Sequence, residues 1–316
     1  TICIPTYNSG EFIEDTLFSI INQTYKNIEI IIGDNASTDN TYDIVKKYQK
    51  KDSRIKYYKN ETNLGLFGNC NKLISMSKGE CVAIYHSDDI YDLKIIEKQV
   101  DILENNLDLS GVFTNYERID EHGVIFKNTL YPIHVDQKIK RVNLDEFINV
   151  VLNKGVSCFC CPSSMIRKGV YERLGGYDSN LTYIGDQDMW SRILLDGSLG
   201  ILKDKLIKYR VHSKQLSYKY LDIERKDIAI PLRHIKSFIY SNSLEKSYND
   251  KLLKSEAVDF ISLAALSVRR KDYNSFRENI LKSRESYNLG YKTKIGLMQN
   301  SPLLKLSYFI FKIFKK

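Results

Sequence analysis

Residues 85–91 read YHSDDIY and set Asp88 beside Asp89, directly after the apolar run CVAIY. Two adjacent carboxylates repel each other, so something must compensate them. The free N–H groups and dipole of a helix start would do so, with Asp as the capping residue. A ligand at the end of a strand would do so too. Other polar clusters recur along the chain: TYN at 6–8, DNASTDNT at 34–41, NETNLG at 60–65, GDQDMW at 185–190 and YRVHSKQLS at 209–217. Where these clusters stand relative to the secondary structure decides between a cap and a ligand site.

The first ninety residues alternate strand and helix patterns. TICIP is an apolar strand, and EFIEDTLFSIINQT places Phe12, Ile13, Leu17, Ile20 and Ile21 on one helical face. IEIIIG, RIKYYKN and CVAIY follow as strands. DNTYDIVKKYQKK, opened by Asp39 as an N-cap, and LFGNCNKLISMS follow as helices. Such βα repeats with short connections predict a parallel sheet covered on both faces. Ligands bind beyond the carboxyl ends of such strands, which is where TYN, DNASTDNT, NETNLG and HSDD fall. That convergence favours a ligand over simple capping at Asp88 and Asp89.

After residue 105 the pattern changes. SGVFTNYERIDEHGVIFKN predicts an antiparallel hairpin around Glu121, His122 and Gly123. NLDEFINVVLNKG reads as a helix, VSCFCCPSSMIRK as a strand, and YIGDQDMWSRILLDG as a helix with Met189, Trp190, Ile193 and Leu194 on its apolar face. Beyond about residue 220 the chain turns helical and basic, which places a boundary near there.

Composition limits the functions available. With 43% hydrophobic and 27% charged residues, the 316-residue chain can bury a substantial core. The formal net charge of +8 suits an anionic ligand or surface. No basic cluster is interleaved with aromatics as base stacking would need, so nucleic acid is not an expected partner. The six cysteines lie mostly in apolar runs, as reduced thiols of a cytoplasmic protein would. CFCC lacks the second ligand pair of a structural zinc site. TICIP already reads as a strand at residue 1, so a signal peptide is not expected, and no apolar run reaches the roughly 18 residues of a membrane span.

IPTYN, GDNASTDNT, NLGLFGNCN through HSDDIY, and GDQDMW resemble, in order, the signatures of family 2 glycosyltransferases of the GT-A fold. The resemblance covers residues 1–217 and implies a Rossmann-like α/β fold with a mostly parallel sheet flanked by helices. It implies a nucleotide-sugar half at about 1–105 and an acceptor half at about 106–217, and it leaves uncovered the helical C-terminal region at 218–316 that the residue pattern predicts. It implies an inverting, metal-dependent transfer of a sugar, a UDP-sugar first, to a glycan or lipid-linked acceptor in bacterial surface polysaccharide synthesis.

Residue by residue, Asp88 and Asp89 correspond to the DxD motif that holds Mn2+ or Mg2+, where carboxylate oxygens suit a hard cation. Asp34 matches the acid that accepts the uracil N–H, while Pro5, Thr6, Tyr7 and Asn8 would frame the base. Asn63 and Gly65 match the loop beneath the donor, although a plain turn explains them equally well. Asp186 aligns with the catalytic base, with Asp188 in reserve and an N-cap as the alternative role. His212 would complete the metal shell, and Arg210 would meet the diphosphate. The chain departs from the pattern twice: His86 stands where many relatives carry Asp, and Gly185 replaces the usual Glu.

The rival readings are a catalytically silent scaffold that binds glycan or a partner, and a nucleotidylyltransferase. The second lacks its glycine-rich basic loop, since PTYNSGEF stands there. A processive synthase lacks its membrane spans and its QxxRW-like motif. PLLKLSYFIFKIFKK at 302–316 suits either an interfacial helix on an anionic membrane, placing the protein at the inner face, or docking on its own core or a second subunit.

Overall fold

The computed structural model describes residues 1–126, 132–154, 156–216 and 230–253, together with residues 275, 278, 279, 281 and 282. The segment 302–316 lies outside the described residues. Those residues form two compact units, one of Thr1–Phe147 with Ser157–Gln215, the other of Ile148–Val156 with the described residues after Gln215.

The first unit is built on one mixed sheet. Strands β1 (Ile2–Thr6), β2 (Ile30–Asp34), β3 (Ile55–Lys59) and β4 (Cys81–Ile84) pair in parallel in the order β3-β2-β1-β4. Every residue of β1 and β2 is buried, which is why both read as unbroken apolar runs instead of alternating. Helices α1 (Ile13–Ile21), α2 (Thr41–Gln49) and α3 (Gly65–Met76) make the crossovers between them. The register sets Thr6 opposite Asp34 and Asp34 opposite Lys59, so the carboxyl ends of three strands lie level. The chain runs from β1 to β2 and β3 on one side, then returns as β4 on the other side of β1. That reversal opens a crevice at the ends of β1 and β4.

The second half of the sheet is mixed. After β5 (Ile90–Tyr91) and α4 (Ile95–Asn105), strand β6 (Leu109–Ile119) runs antiparallel to β8 (Ser164–Arg167) and parallel to β9 (Ser198–Arg210). Strand β8 closes onto β4 in antiparallel fashion, and β7 (Ile139–Val142) and β5 flank β9. The expected hairpin at 120–123 is short: Phe126 donates to the Arg118 carbonyl at 2.9 Å and a single bridge joins Ile119 to Ile125. Most of its first arm is instead a long strand of the main sheet. The run predicted as a strand at 156–168 is extended only over β8. Ahead of β8 the chain makes a 3-10 turn at Cys161–Ser163, because Pro162 has no N–H for a ladder and both the N–H and the hydroxyl of Ser163 bond the Cys160 carbonyl.

Helices α5 (Leu144–Lys154), α6 (Lys168–Leu174) and α7 (Gly185–Asp196) complete this part of the chain. Helix α7 is anchored by the fully buried Trp190, whose ring meets Phe113 edge-on at 4.8 Å. In the second unit, α8 (Ile230–Ser241) buries Ile235, Phe238 and Ile239, and residues 245–253 are helical with Tyr248 and Leu252 buried.

Candidate functional site

The crevice is built first by α1. Alongside its apolar face this helix buries Thr16 and Ser19, and Gln23 follows just past its end. The Thr16 hydroxyl donates to the Asp89 carbonyl at 2.7 Å, Ser19 Oγ accepts the Tyr91 N–H, and Gln23 donates to the Asp92 carbonyl at 2.8 Å. These three residues, spaced at three and four along the chain, hold the segment after β4 in place. Sequence reasoning read only the apolar face; polar residues at helical spacing beside it were the available signal.

The Tyr91 hydroxyl adds a clamp. It accepts the His86 N–H at 2.7 Å and donates to the His86 carbonyl at 3.2 Å, while its ring stacks on Tyr85 at 4.2 Å. The backbone of the HSDD turn is thereby held from both sides.

Three strand ends supply the side chains. From β9, His212 Nε2 lies 3.0 Å from Asp88 Oδ2, and its ring packs on Phe12 at 4.5 Å. From the β1–α1 loop, the Ser9 hydroxyl lies 2.7 Å from that of Ser87, and Glu11 pairs with Lys214 at 2.6 Å. Within the HSDD turn, ligand atoms of His86, Asp88 and Asp89 lie within 4.8 Å of one another. The two carboxylates differ in environment. The Asp88 side chain is 23% exposed and sits against His212, whereas Asp89 is 1% exposed and its Oδ1 accepts the Arg210 N–H at 2.8 Å.

Burial and the neighbouring Asp88 charge push the Asp89 carboxyl well above the usual carboxylate range, against the opposing pull of Arg210. Burial also raises Asp88, but its hydrogen bond to His212 and the charges of both histidines outweigh this and hold it low. Burial lowers the His86 imidazole. Four polar atoms here are buried with no hydrogen-bond partner: Thr6 Oγ1, His86 Nε2, Asp89 Oδ2 and His212 Nδ1.

Arg210 is 3% exposed and its guanidinium is directed into the protein. It donates to the carbonyls of Asp88 and Glu121 at 2.8 and 3.0 Å and to the Asp15 carboxylate at 2.8 Å, with Phe12 beneath it at 4.9 Å. In this geometry the side chain braces the acidic turn and spends three of its five N–H donors inside the protein.

The ends of β2 and β3 are a closed network. Asp34 is fully buried, with Oδ1 accepting the Ser37 N–H at 2.7 Å and Oδ2 accepting the Tyr57 hydroxyl. Asn35 donates to Asn63 Oδ1 and the Gly65 carbonyl at 2.8 and 3.1 Å, and accepts from Asn60 and from the Leu64 N–H at 3.0 and 2.8 Å. Asn63 and Gly65 are thus tied to the end of β2, and Gly65 takes φ 74°, which favours glycine. Asn8, also left-handed at φ 50°, accepts the Thr38 N–H at 2.8 Å. Pro5 and Thr6 are buried in β1, and Tyr7 stands 50% exposed at the mouth. Asp39 accepts the Thr41 N–H at 3.1 Å and the Gly10 N–H at 2.9 Å, fastening the start of α2 to the β1–α1 loop.

Asp186 and Asp188 occupy the first turn of α7. Asp188 Oδ2 pairs with Arg192 at 2.7 Å, and Arg192 in turn donates to the carbonyls of Leu174 and Gly176. Asp186 Oδ1 accepts the Gln187 N–H at 2.8 Å. Burial raises the Cys160 thiol, and the charges of Asp89 and Asp186 both raise it further. Gly185 is explained by packing: a Cβ there would come within 2.5 Å of the Phe67 ring.

The comparisons with known proteins give the family. Residues 1–175 match the profile of Glycosyl transferase family 2. The chain belongs to that family. An uncharacterized glycosyltransferase of Methanocaldococcus jannaschii is 33% identical over 217 residues, covering 68% of this chain and 71% of its own. Glycosyltransferase GlyG of Streptococcus pneumoniae is 28% identical over 228 residues, 71% of this chain and 74% of its own. Among solved structures, residues 1–349 of S. aureus TarS, in complex with UDP-GlcNAc, superimpose with a TM-score of 0.59 at 16% identity over 90% of this chain and 91% of theirs. The mannosyltransferase PcManGT of Pyrobaculum calidifontis, in complex with GDP-Man and Mn2+, has a TM-score of 0.50 at 15% identity over 92% and 87%. The protein is therefore a glycosyltransferase with the GT-A fold. No helix among the described residues of this transferase is long and apolar enough to cross a membrane.

Proposed function

We propose that this transferase moves a sugar, with inversion, from a nucleoside diphosphate donor bound with a divalent cation to a hydroxyl of a glycan or lipid-linked acceptor. One observation carries the reading. At the crevice between the ends of β1 and β4, ligand atoms of His86, Asp88 and Asp89 lie within 4.8 Å of one another, His212 Nε2 lies 3.0 Å from Asp88, and Asp89 Oδ2 and His86 Nε2 are buried without a partner. Buried, unpaired ligand atoms of this kind fit a cation of the Mn2+ or Mg2+ class, with Asp88, Asp89 and His212 holding it. When bound, such an ion offsets the negative charge that builds up on the leaving diphosphate.

The chain's own residues do the rest. Tyr7 borders the base, and the Asp34 carboxylate, oriented by Ser37 and Tyr57, serves as the acceptor for a base N–H. The loop at Asn63–Gly65 lies beneath the donor. Asp186 takes the proton of the acceptor hydroxyl as that oxygen forms its bond to the anomeric carbon, while the carbon–oxygen bond to the diphosphate breaks on the opposite face. Arg210 acts as a positioning residue, since it holds the turn that presents Asp88. A UDP-sugar is the first donor to test.

The test is a panel of nucleotide sugars, including UDP-GlcNAc and GDP-mannose, assayed for hydrolysis with and without Mn2+ or Mg2+. Cation-dependent release of one nucleoside diphosphate is expected. Binding without turnover for any donor, alongside binding of glycan, would favour a silent scaffold.

A further inference from the structure

His86 is the residue that the family resemblance leaves unexplained. It stands where many relatives carry Asp, and its main chain is fully occupied by the Tyr91 hydroxyl at both N–H and carbonyl. Its side chain is not. Nε2 is buried and has no hydrogen-bond partner in the protein. An imidazole nitrogen removed from water and left unpaired costs on the order of 1–3 kcal/mol. A role as an internal strut would supply the missing partner, and none is there.

The imidazole belongs to a set of ligand atoms: one ring nitrogen of His86 and one carboxylate oxygen each from Asp88 and Asp89, all within 4.8 Å of one another. His212 Nε2 lies 3.0 Å from Asp88 Oδ2. Asp89, 1% exposed with Oδ2 unpartnered, points to the same ligand independently of the histidines. Mg2+ takes oxygen ligands in a strict octahedron and keeps its waters, whereas first-row transition ions accept an imidazole nitrogen, Mn2+ the most weakly of them but still more readily than Mg2+. A carboxylate at position 86 would have made the turn an all-oxygen set.

We propose that His86 donates Nε2 to the divalent cation and so sets the ion preference of this transferase toward a transition ion such as Mn2+ and away from Mg2+. The inference rests on the reading that a cation binds at Asp88.

The experiment uses the full chain with UDP present. Calorimetry with Mn2+ and with Mg2+ is run on wild type, His86→Asp and Asp88→Ala. Electron spin echo modulation of the Mn2+-loaded wild type, with and without 15N-labelled histidine, reads nitrogen coordination directly and needs no variant. Wild type should bind Mn2+ more tightly than Mg2+, since a nitrogen ligand costs the transition ion less. His86→Asp should shrink that ratio by strengthening Mg2+ binding, and should weaken the histidine-nitrogen modulation while leaving the contribution of any other histidine.

An unchanged ion ratio and unchanged modulation in His86→Asp, with ions still lost in Asp88→Ala, would overturn the role of His86 alone. That outcome would direct Nε2 to a donor hydroxyl instead. If ions bind equally to wild type and Asp88→Ala, the cation site itself fails, and the inference fails with it. Should His86→Asp not fold, wild-type modulation insensitive to histidine labelling is sufficient to overturn it.

Discussion

The strand ends of the parallel sheet fall into two kinds. At β2 and β3, Asp34 and Asn35 have partners for both side-chain polar atoms, and the Asn60 amide bonds Asn35 and Asn69. At β1 and β4, only a few residues away in the same sheet, Thr6, His86, Asp89 and, from β9, His212 each bury an atom with no partner. A saturated network makes a loop rigid without help from a ligand. An open one carries a desolvation cost that only a bound group offsets. The first region is fixed in shape before any donor arrives and the second is left open for a cation, and the two should respond differently to substitution.

The largest effect is expected outside both, at α7. Asp186→Asn should lower turnover by about 10²–10⁴, the usual contribution of a positioned base, while donor and cation affinity stay near normal. Asn keeps the size and one acceptor oxygen, so a mere cap would survive the change. Asp188→Asn should instead loosen Arg192 and lower stability with most turnover retained. Measuring kcat and donor affinity for both variants decides, and the reverse pattern would move the base to Asp188.

Next comes the open region. Asp88→Ala should weaken cation-dependent UDP binding by more than the roughly 10–100-fold that loss of an outer-shell partner costs. Its melting temperature should fall little, because the substitution also relieves the like-charge pair with Asp89. A large loss of stability with unchanged cation affinity would collapse the distinction between the two regions.

The saturated region gives the complementary result. Asn35→Ala should cost about 1–3 kcal/mol in urea unfolding, because Asn60 and the Leu64 N–H lose their acceptor. Cation affinity, read by the same calorimetry, should not change.

The smallest effect is a control far from both. Burial would raise the Glu29 carboxyl, but hydrogen bonds from Lys56 and Thr1 and from the Lys78 N–H hold it at about 2, below its ordinary 4.5. A depressed value means that its stabilisation is fully present above pH 4.5 and is lost as pH falls toward 2. Glu29→Gln should therefore flatten the acid limb of the stability profile over that window, and an acid limb identical to wild type would show that the three bonds contribute nothing in solution.

Much of this was legible in the linear chain. Alternating apolar runs and helical faces determine a parallel sheet, because a strand buried on both sides must be apolar throughout and a covering helix on one side only. Polar clusters at four consecutive strand ends then mark the ligand edge, and their order carries the family. The short range of these rules is their limit. VSCFCCPSSMIRK reads as a strand up to the point where Pro162 breaks it, and whether the run pairs at all depended on β4 and β6 being beside Ser164–Arg167.

The division of labour within the site depended on contacts far apart in sequence. Asp88 and Asp89 are neighbours with identical side chains, yet one faces His212 from 124 residues away and the other is sealed by the Arg210 N–H from 121 residues away. Gly185 looks like a lost acid until Phe67 occupies its space. Arg210 reads as a phosphate ligand by type, and only the fold shows that Asp15 and the Asp88 and Glu121 carbonyls take three of its donors. Residue type determines what chemistry a side chain can offer, but burial and partners determine whether that capacity is spent inside the protein or left for a ligand. Those are properties of packing between distant segments, and no local pattern encodes them.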